Sequence, residues 1–291
     1  MKIPYINLNL QWQKEKTHLS NIFKKVLKQG NYVDPNSKEV TNFENNISEK
    51  CGTKYAVSLN SGTDALTLGL CLLGVRKGDE VLTPPNSFIS STSAITHIGA
   101  KPVFVDVLED QNMDPNLIER LITKKTKAIM PVHLTGRVAE MKEIMKISKK
   151  YNISVIEDAA QSIGSKHYGK LSGSFGKVGC FSAHPLKNLN AVGDSGYLTT
   201  NNYEIYRKIK QLKSHGMVSR DRIKSFGYVS RMDNIQAAVL NFRLKNLKKV
   251  IEKRRENFKL YEKYLDTKNI YFPKEKEYQF NTYHTFVIQS N

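Results

Sequence analysis

The stretch from Val155 to Thr200 carries an acid and a lysine at the ends of two successive apolar segments. The first segment ends on Asp158, and the second, Val178 to Ser182, is followed by a turn that contains Lys187. If both segments are neighbouring strands of an α/β sheet, the two side chains meet in the crevice at its carboxyl edge, where such sheets bind ligands. This pair suits pyridoxal phosphate, which needs a lysine amine for its Schiff base and an acid that keeps its ring nitrogen protonated.

Each of the two residues also has an ordinary interpretation. Most lysines are solvated surface charges, and an aspartate at a strand end is often a helix cap. The order and spacing of the whole stretch favour the cofactor, because Gly193 and Gly196 come after the lysine and ahead of a third predicted strand.

A second candidate element is the turn Ser61-Gly62-Thr63, which lies between a predicted strand, Tyr55 to Leu59, and a predicted helix, Asp64 to Leu73. Gly62 lets the backbone approach a ligand closely, and the first amides of a helix are free donors at its positive end. Thr63 adds a hydroxyl. Because Ser-Gly-Thr before an apolar run is also an ordinary helix cap, the turn alone leaves a phosphate site and a simple cap both open.

Taken together, these motifs resemble those of the DegT/DnrJ/StrS-type sugar aminotransferases. GCFSAHPLKNLNAVGDSGYLTT resembles the lysine segment of that family, and VIEDAAQSIGS resembles the segment that contacts the pyridinium. The resemblance runs from about Pro4 to the last residue. The matching motifs, in the family's order, are Ser61-Gly62-Thr63, Phe88, Glu157-Asp158-Ala159-Ala160-Gln161, Phe181-Ser182 and Lys187.

The resemblance implies a role for each matched residue. Lys187 binds pyridoxal 5'-phosphate covalently and acts as the acid and base, while Asp158 pairs with the ring nitrogen. Gln161 donates to the ring oxygen, and Phe88 stacks on the ring. The cofactor phosphate is held by Gly62, Thr63 and Ser182.

The implied activity is transfer of an amino group, from glutamate by family resemblance, to a keto group of a sugar linked to a nucleoside diphosphate. Such a reaction serves the biosynthesis of amino sugars and surface polysaccharides such as lipopolysaccharide. Donor and acceptor use the same site in turn, so ping-pong kinetics are expected. The family also implies a homodimer with the site at the interface.

The sequence departs from the family in two motifs. Family members carry an Asn in a Gly-Tyr-Asn-x-Arg segment that reaches the cofactor phosphate of the neighbouring subunit. Here Val229 takes that place and cannot make the bond, which leaves Ser230 or Arg231 as replacements. In VHLTGR, Arg137 stands where the family often has a Gln.

Strands that alternate with helices of about ten residues predict an α/β fold with a largely parallel sheet between helices. The resemblance makes this the fold type I of the PLP transferases, which is aspartate-aminotransferase-like. We expect a large PLP-binding domain over residues 1–232. Residues 233–291 would form a connecting helix, roughly Asp233 to Leu265, and a small C-terminal domain that looks truncated.

Composition limits the other classes of protein. The longest apolar run, Ala65 to Val75, is too short to cross a bilayer, and the N-terminus lacks a secretory apolar region. The three cysteines lack metal-ligand spacing and indicate free thiols in a reducing cytoplasm. The net charge of +18 comes mostly from scattered lysines, which favours a solvated basic surface over a nucleic-acid or membrane partner.

Two other functions stay open. A pyridoxal-type sugar dehydratase is disfavoured by the resemblance, because that branch of the family has a histidine in place of the lysine. A catalytically silent regulatory or DNA-binding homologue is compatible with the net charge of +18. A visible absorption band on purification, lost when Lys187 is replaced, would separate the enzymes from the silent homologue.

Overall fold

A mixed sheet of seven strands forms the centre of the computed structural model, which describes Pro4 and residues 6–290. The strands of this sheet and of the smaller ones, in chain order, are β1 Tyr55–Leu59, β2 Glu80–Thr83, β3 Lys101–Phe104, β4 Thr126–Ile129, β5 Ser154–Asp158, β6 Lys166–His167, β7 Lys170–Leu171, β8 Val178–Ser182, β9 Gly196–Thr200, β10 Met217–Ser219, β11 Arg222–Ile223, β12 Ile270–Tyr271, β13 Gln279–Phe280 and β14 Gln289–Ser290.

The order across the large sheet is β1-β9-β8-β5-β4-β2-β3. The pairs from β8 to β3 are parallel, whereas β9 runs antiparallel to both of its neighbours, β8 and β1. The strands β5, β8 and β9 are buried almost throughout, as expected for a sheet that is covered on both faces. The α/β fold with a mostly parallel sheet is thus confirmed.

Helices cover the sheet and connect its strands. The α-helices are α1 Leu8–Gln29, α2 Lys38–Lys50, α3 Gly62–Leu72, α4 Ile89–His97, α5 Met141–Tyr151, α6 Tyr203–Leu212, α7 Asn234–Leu244 and α8 Leu247–Tyr264. Gly30 ends α1 with a left-handed φ of 67°, a conformation that glycine adopts readily at the end of a helix. Within residues 6–290, no helix is both long and apolar enough to cross a membrane.

Two predicted helices differ from the structure. The long helix expected from Asp233 to Leu265 is two helices, α7 and α8, with a break at Lys245 and Asn246. Asn is a poor residue for a helix interior, and the break lets α7 pack on α2 while α8 continues towards the last segment of the chain. The sequence between the strands β3 and β4 also predicts a helix, from Asp114 to Ile122, but the structure has two short 3₁₀ turns there, because Asp114 caps the first turn and Ile122 is extended.

The segment from Ile270 to Ser290 packs against α8. Its aromatic side chains form a cluster with those of α8: Phe258, Tyr261, Phe272, Tyr283 and Phe286. The apolar residues from His284 to Gln289 predict a strand, but in the described part of this stretch only Gln289–Ser290 is a strand, paired with β12. Residues from both sides of the predicted domain boundary share one part of the core, where Ala237 and Leu240 of α7 pack with Val40 and Phe43 of α2. Because the core is continuous across residue 232, the boundary there stays a prediction.

Candidate active site

Asp158 ends β5 at the carboxyl edge of the sheet, with 5% of its surface exposed. Its Oδ2 accepts a hydrogen bond of 2.6 Å from the Oγ of Ser91, in the first turn of α4, and its Oδ1 accepts one of 3.1 Å from the amide of Ala160. The two donors fix the orientation of the carboxylate in the crevice. Ser91 is a site residue that the motifs do not reveal. Its sequence signal is only a hydroxyl in the first turn of a helix that starts at this edge.

Lys187 lies in the turn that follows β8, the parallel neighbour of β5. The turn is closed by a hydrogen bond of 2.9 Å from the Lys187 amide to the carbonyl of His184. Burial lowers the pKa of Lys187, and the negative charge of the nearby Asp158 opposes that shift. No described residue forms a hydrogen bond with the Lys187 Nζ. The structure therefore brings the predicted acid and the predicted lysine to the same crevice.

The turn before α3 forms a tight cradle with β8 and β9. A Cβ on Gly62 would lie 2.8 Å from the Cβ of Ser182, and one on Gly196 would overlap the Gly62 nitrogen. The Ser61 Oγ caps the helix by accepting from the amide of Asp64. No hydrogen bond among the described residues uses the amides of Gly62 and Thr63, so both remain as donors at the N-terminus of α3.

Two predicted contacts of the cofactor ring lie at the same edge. The amide of Thr135 donates a hydrogen bond of 2.8 Å to the Gln161 Oε1, which leaves the Gln161 amide group as a free donor. Phe88 is the residue before α4, and its ring is 69% exposed. Two residues later, the Ser90 Oγ accepts a hydrogen bond of 3.0 Å from the Thr63 hydroxyl, which ties the start of α4 to the cradle.

Glu157, next to Asp158 in the sequence, has a different environment. It is fully buried and accepts hydrogen bonds of 2.7 Å from the amides of Gly173, Phe175 and Gly176. Its Oε2 also lies 2.9 Å from the Nε2 of His133, which carries the proton because its Nδ1 accepts from the amide of Ala139. Glu157 therefore holds the loop of residues 173–176 and the loop that contains His133, while Asp158 faces the crevice.

The segment that departs from the family lies beside the cradle. Ser230 is buried; its Oγ donates to the Asp64 Oδ2 at 2.7 Å and accepts from the amide of Asn60 at 3.2 Å. Ser230 is thus engaged within its own chain, while Val229 is 57% exposed. The Nε of Arg231 is buried without a hydrogen-bond partner in the part of the chain that the structure describes.

Arg137, the other departure, binds the last segment of the chain and not the crevice. Its Nη1 donates to the Lys274 carbonyl at 3.0 Å and to the Gln279 Oε1 at 2.6 Å, and its Nη2 donates to the Pro273 carbonyl at 2.8 Å. Arg137 therefore attaches this segment to its own loop, in which the amide of Thr135 donates to Gln161.

The residues present fit pyridoxal phosphate. The glycine cradle, too narrow for an added Cβ, offers two free amides to a phosphate. Across the crevice stand a buried carboxylate suited to a ring nitrogen and a half-buried lysine suited to a covalent bond with an aldehyde.

A lysine and an aspartate that share a crevice with a phosphate-binding cradle, at the carboxyl edge of a mostly parallel sheet, are typical of a pyridoxal-phosphate-dependent transferase. More specifically, the chain belongs to the DegT/DnrJ/EryC1/StrS aminotransferase family, whose family model matches residues 13–291. The resemblance drawn from the motifs is thereby confirmed.

Known proteins similar to this chain agree with the family. The chain is 40% identical over 239 residues to UDP-2-acetamido-2-deoxy-3-oxo-D-glucuronate aminotransferase of Pseudomonas aeruginosa. The matched region covers 82% of this chain and 66% of that protein. The chain is 34% identical over 294 residues to the pleiotropic regulatory protein of Geobacillus stearothermophilus, covering 100% of this chain and 78% of that protein. The crystal structure of NtdA from Bacillus subtilis with bound cofactor PMP superimposes with a TM-score of 0.89 at 31% identity, over 100% of this chain and 67% of that one.

Proposed function

We propose that this chain uses pyridoxal phosphate to transfer an amino group from glutamate to a keto group of a sugar linked to a nucleoside diphosphate. The observation that carries the proposal is the convergence of Lys187 and Asp158 in one crevice, opposite the glycine cradle. The similar aminotransferase of Pseudomonas aeruginosa, whose name specifies a UDP-linked 3-oxo sugar, supports the substrate class. The chain spans 66% of the length of that protein.

When bound, the cofactor supplies a protonated ring that withdraws electrons from the bond being broken. Asp158, oriented by Ser91 and the Ala160 amide, holds the proton on the ring nitrogen. The amides of Gly62 and Thr63 bind the phosphate at the N-terminus of α3, together with Ser182. The free amide group of Gln161 donates to the ring oxygen, and the exposed Phe88 stacks on the ring.

Lys187 moves the proton in this proposal. Burial lowers the pKa of Lys187, so a larger fraction of its Nζ is neutral near pH 7 than for an exposed lysine. A neutral amine can take a proton from the carbon that carries the amino group, and the ammonium so formed can give the proton back later in the reaction.

The test is isotope transfer. The protein, supplied with pyridoxal phosphate, is incubated with ¹⁵N-labelled glutamate and a panel of keto sugars linked to UDP, dTDP or GDP. We expect 2-oxoglutarate and a ¹⁵N-labelled amino sugar from at least one member of the panel. Release of water without nitrogen transfer would instead identify a dehydratase. If the protein neither binds the cofactor nor turns over any sugar, the silent homologue is the correct description, as the name of the Geobacillus relative allows.

We also propose a cytoplasmic homodimer. Cys51, Cys71 and Cys180 are free thiols, as in a reducing compartment. Apolar side chains on the segment beside the cradle are exposed, among them Phe226 at 100% and Ile223 at 67%. An exposed apolar patch of this kind marks an interaction surface, and the family's contact from the neighbouring subunit comes from the same segment. Sedimentation of the purified protein would test the dimer.

Val229→Asn should tighten the binding of pyridoxal phosphate by about one to two orders of magnitude. Val229 is exposed and cannot donate, and the hydroxyl of Ser230 is already bound to Asp64, so an added amide would supply a missing donor to phosphate. Titration of the cofactor-free protein with pyridoxal phosphate measures the change. Val218→Asn, at another exposed valine, in β10, is the control and should leave the affinity unchanged. An unchanged or weaker affinity in Val229→Asn would show that another group, such as Arg231, already fills the position.

A further inference from the structure

The segment Asn281 to His284 lies against the turn that carries Lys187. The Asn188 Nδ2 donates to the Thr282 carbonyl at 3.3 Å, and the Thr282 amide donates to the Gly136 carbonyl at 3.0 Å. Gly136 has a φ of 93°, and a Cβ there would lie within 2.9 Å of the amide nitrogen of His284. Neighbouring turns thus hold this stretch of backbone in one place.

Arg254 of α8 fixes the same stretch from the other side. Its Nη1 donates to the carbonyl of His284 at 2.7 Å and to that of Tyr283 at 3.3 Å. The backbone of His284 is therefore held both by the turn at Gly136 and by a helix, which restricts where its imidazole can lie.

The imidazole of His284 faces the residue next to Lys187. Its Nδ1 lies 3.4 Å from the Asn188 Oδ1. Because the Asn188 Nδ2 already donates to a carbonyl, its Oδ1 is the acceptor, and the imidazole proton lies on Nδ1. Burial, with the positive charges of Lys187 and Arg254, lowers the pKa of His284 to about 3, so the ring is neutral at pH 7.

We propose that His284 is a positioning residue for Lys187: its ring, bound through Nδ1 to Asn188, holds the lysine turn in place and so keeps the lysine amine in its partly buried position. The inference rests on the proposed role of Lys187. A charged side chain at this position would repel the lysine, whereas a neutral ring adds no charge beside it. His284 thereby helps to create the burial that favours the neutral amine.

The test measures the Lys187 amine in cofactor-free protein. The rate of acetylation of each lysine is followed against pH by peptide mass spectrometry. His284→Ala should move the midpoint for Lys187 up by about one pH unit, which slows its acetylation about tenfold at pH values below the midpoint. His284→Asn places an amide donor near the position of Nδ1 and should restore the wild-type midpoint. His284→Gln, whose donor lies farther out, should not.

Lys213 provides an internal control in the same samples. Burial also lowers the pKa of Lys213, but its Nζ donates to the Ser58 carbonyl at 2.8 Å, and Ser58 belongs to β1, the terminal strand of the sheet. A constant midpoint for Lys213 shows that a variant is folded. If the Lys187 midpoint is the same in wild type and His284→Ala while Lys213 is unchanged, the positioning role is wrong. Because no cofactor is present, this result is independent of whether the protein proves to be an aminotransferase.

Discussion

Lys187→Ala should lower the rate of amino transfer by about four orders of magnitude. The lysine is the only proposed group in the crevice that both bonds to the cofactor and moves the proton, so its loss removes two functions at once. The expected readout is the ¹⁵N transfer assay, together with loss of the visible absorption band of the bound cofactor. Because the Nζ has no hydrogen-bond partner among the described residues, its removal should leave the melting temperature close to that of the wild type.

Lys127→Ala is the matched control, since Lys127 is an exposed lysine on β4, away from the carboxyl edge. It should keep both the activity and the absorption band. Lys187→Arg keeps a positive charge but holds no neutral amine at pH 7, so it should be as inactive as Lys187→Ala. Activity in Lys187→Ala within tenfold of wild type would show that a different residue moves the proton.

Asp158→Asn should retain bound cofactor and lower turnover by about 10²- to 10³-fold. An amide is nearly the same size as the carboxylate, but it carries no charge with which to hold the ring nitrogen protonated, and without that proton the ring withdraws electrons weakly. Cofactor content is measured by absorbance after alkaline release, and turnover by the ¹⁵N assay. Near wild-type turnover would show that another acid has this role.

Ser91→Ala is the companion variant of Asp158→Asn. It removes one of the two donors that orient the carboxylate and leaves the charge, so the loss of turnover should be about tenfold. Ser93→Ala, two residues along the same helix, has no side-chain hydrogen bond to the site and should behave as wild type. An equal loss in Ser91→Ala and Asp158→Asn would mean that orientation, and not charge, is what the site requires.

The sequence is sufficient to predict the location of site residues that directly follow a strand. Asp158 and Lys187 follow buried strands, and the carboxyl ends of parallel strands share one edge, so apolar segments alone bring the pair together. The SGT turn is predictable for a similar reason, because a strand, a glycine and a helix start follow one another within the local sequence.

Contacts between distant segments are the part that the sequence does not predict. Ser91 bonds to Asp158 across 67 positions, and His284 meets Asn188 across 96 positions. These pairs depend on how α4 and the last segment pack on the sheet, and no local pattern encodes that packing. The break between α7 and α8 is similar. Asn246 weakens the helix locally, but the packing of α7 on α2, which fixes where α7 ends, is not visible in the local sequence.

Reductive trapping on Lys187 tests the central claim most directly. The protein is saturated with pyridoxal phosphate, reduced with borohydride, digested, and mapped by mass spectrometry. The proposed site predicts that the pyridoxyl group is found on the peptide that contains Lys187, in close to one equivalent per chain. A label on Lys213 or on any other lysine, or no label at all, would contradict the assignment of Lys187 as the residue that binds the cofactor.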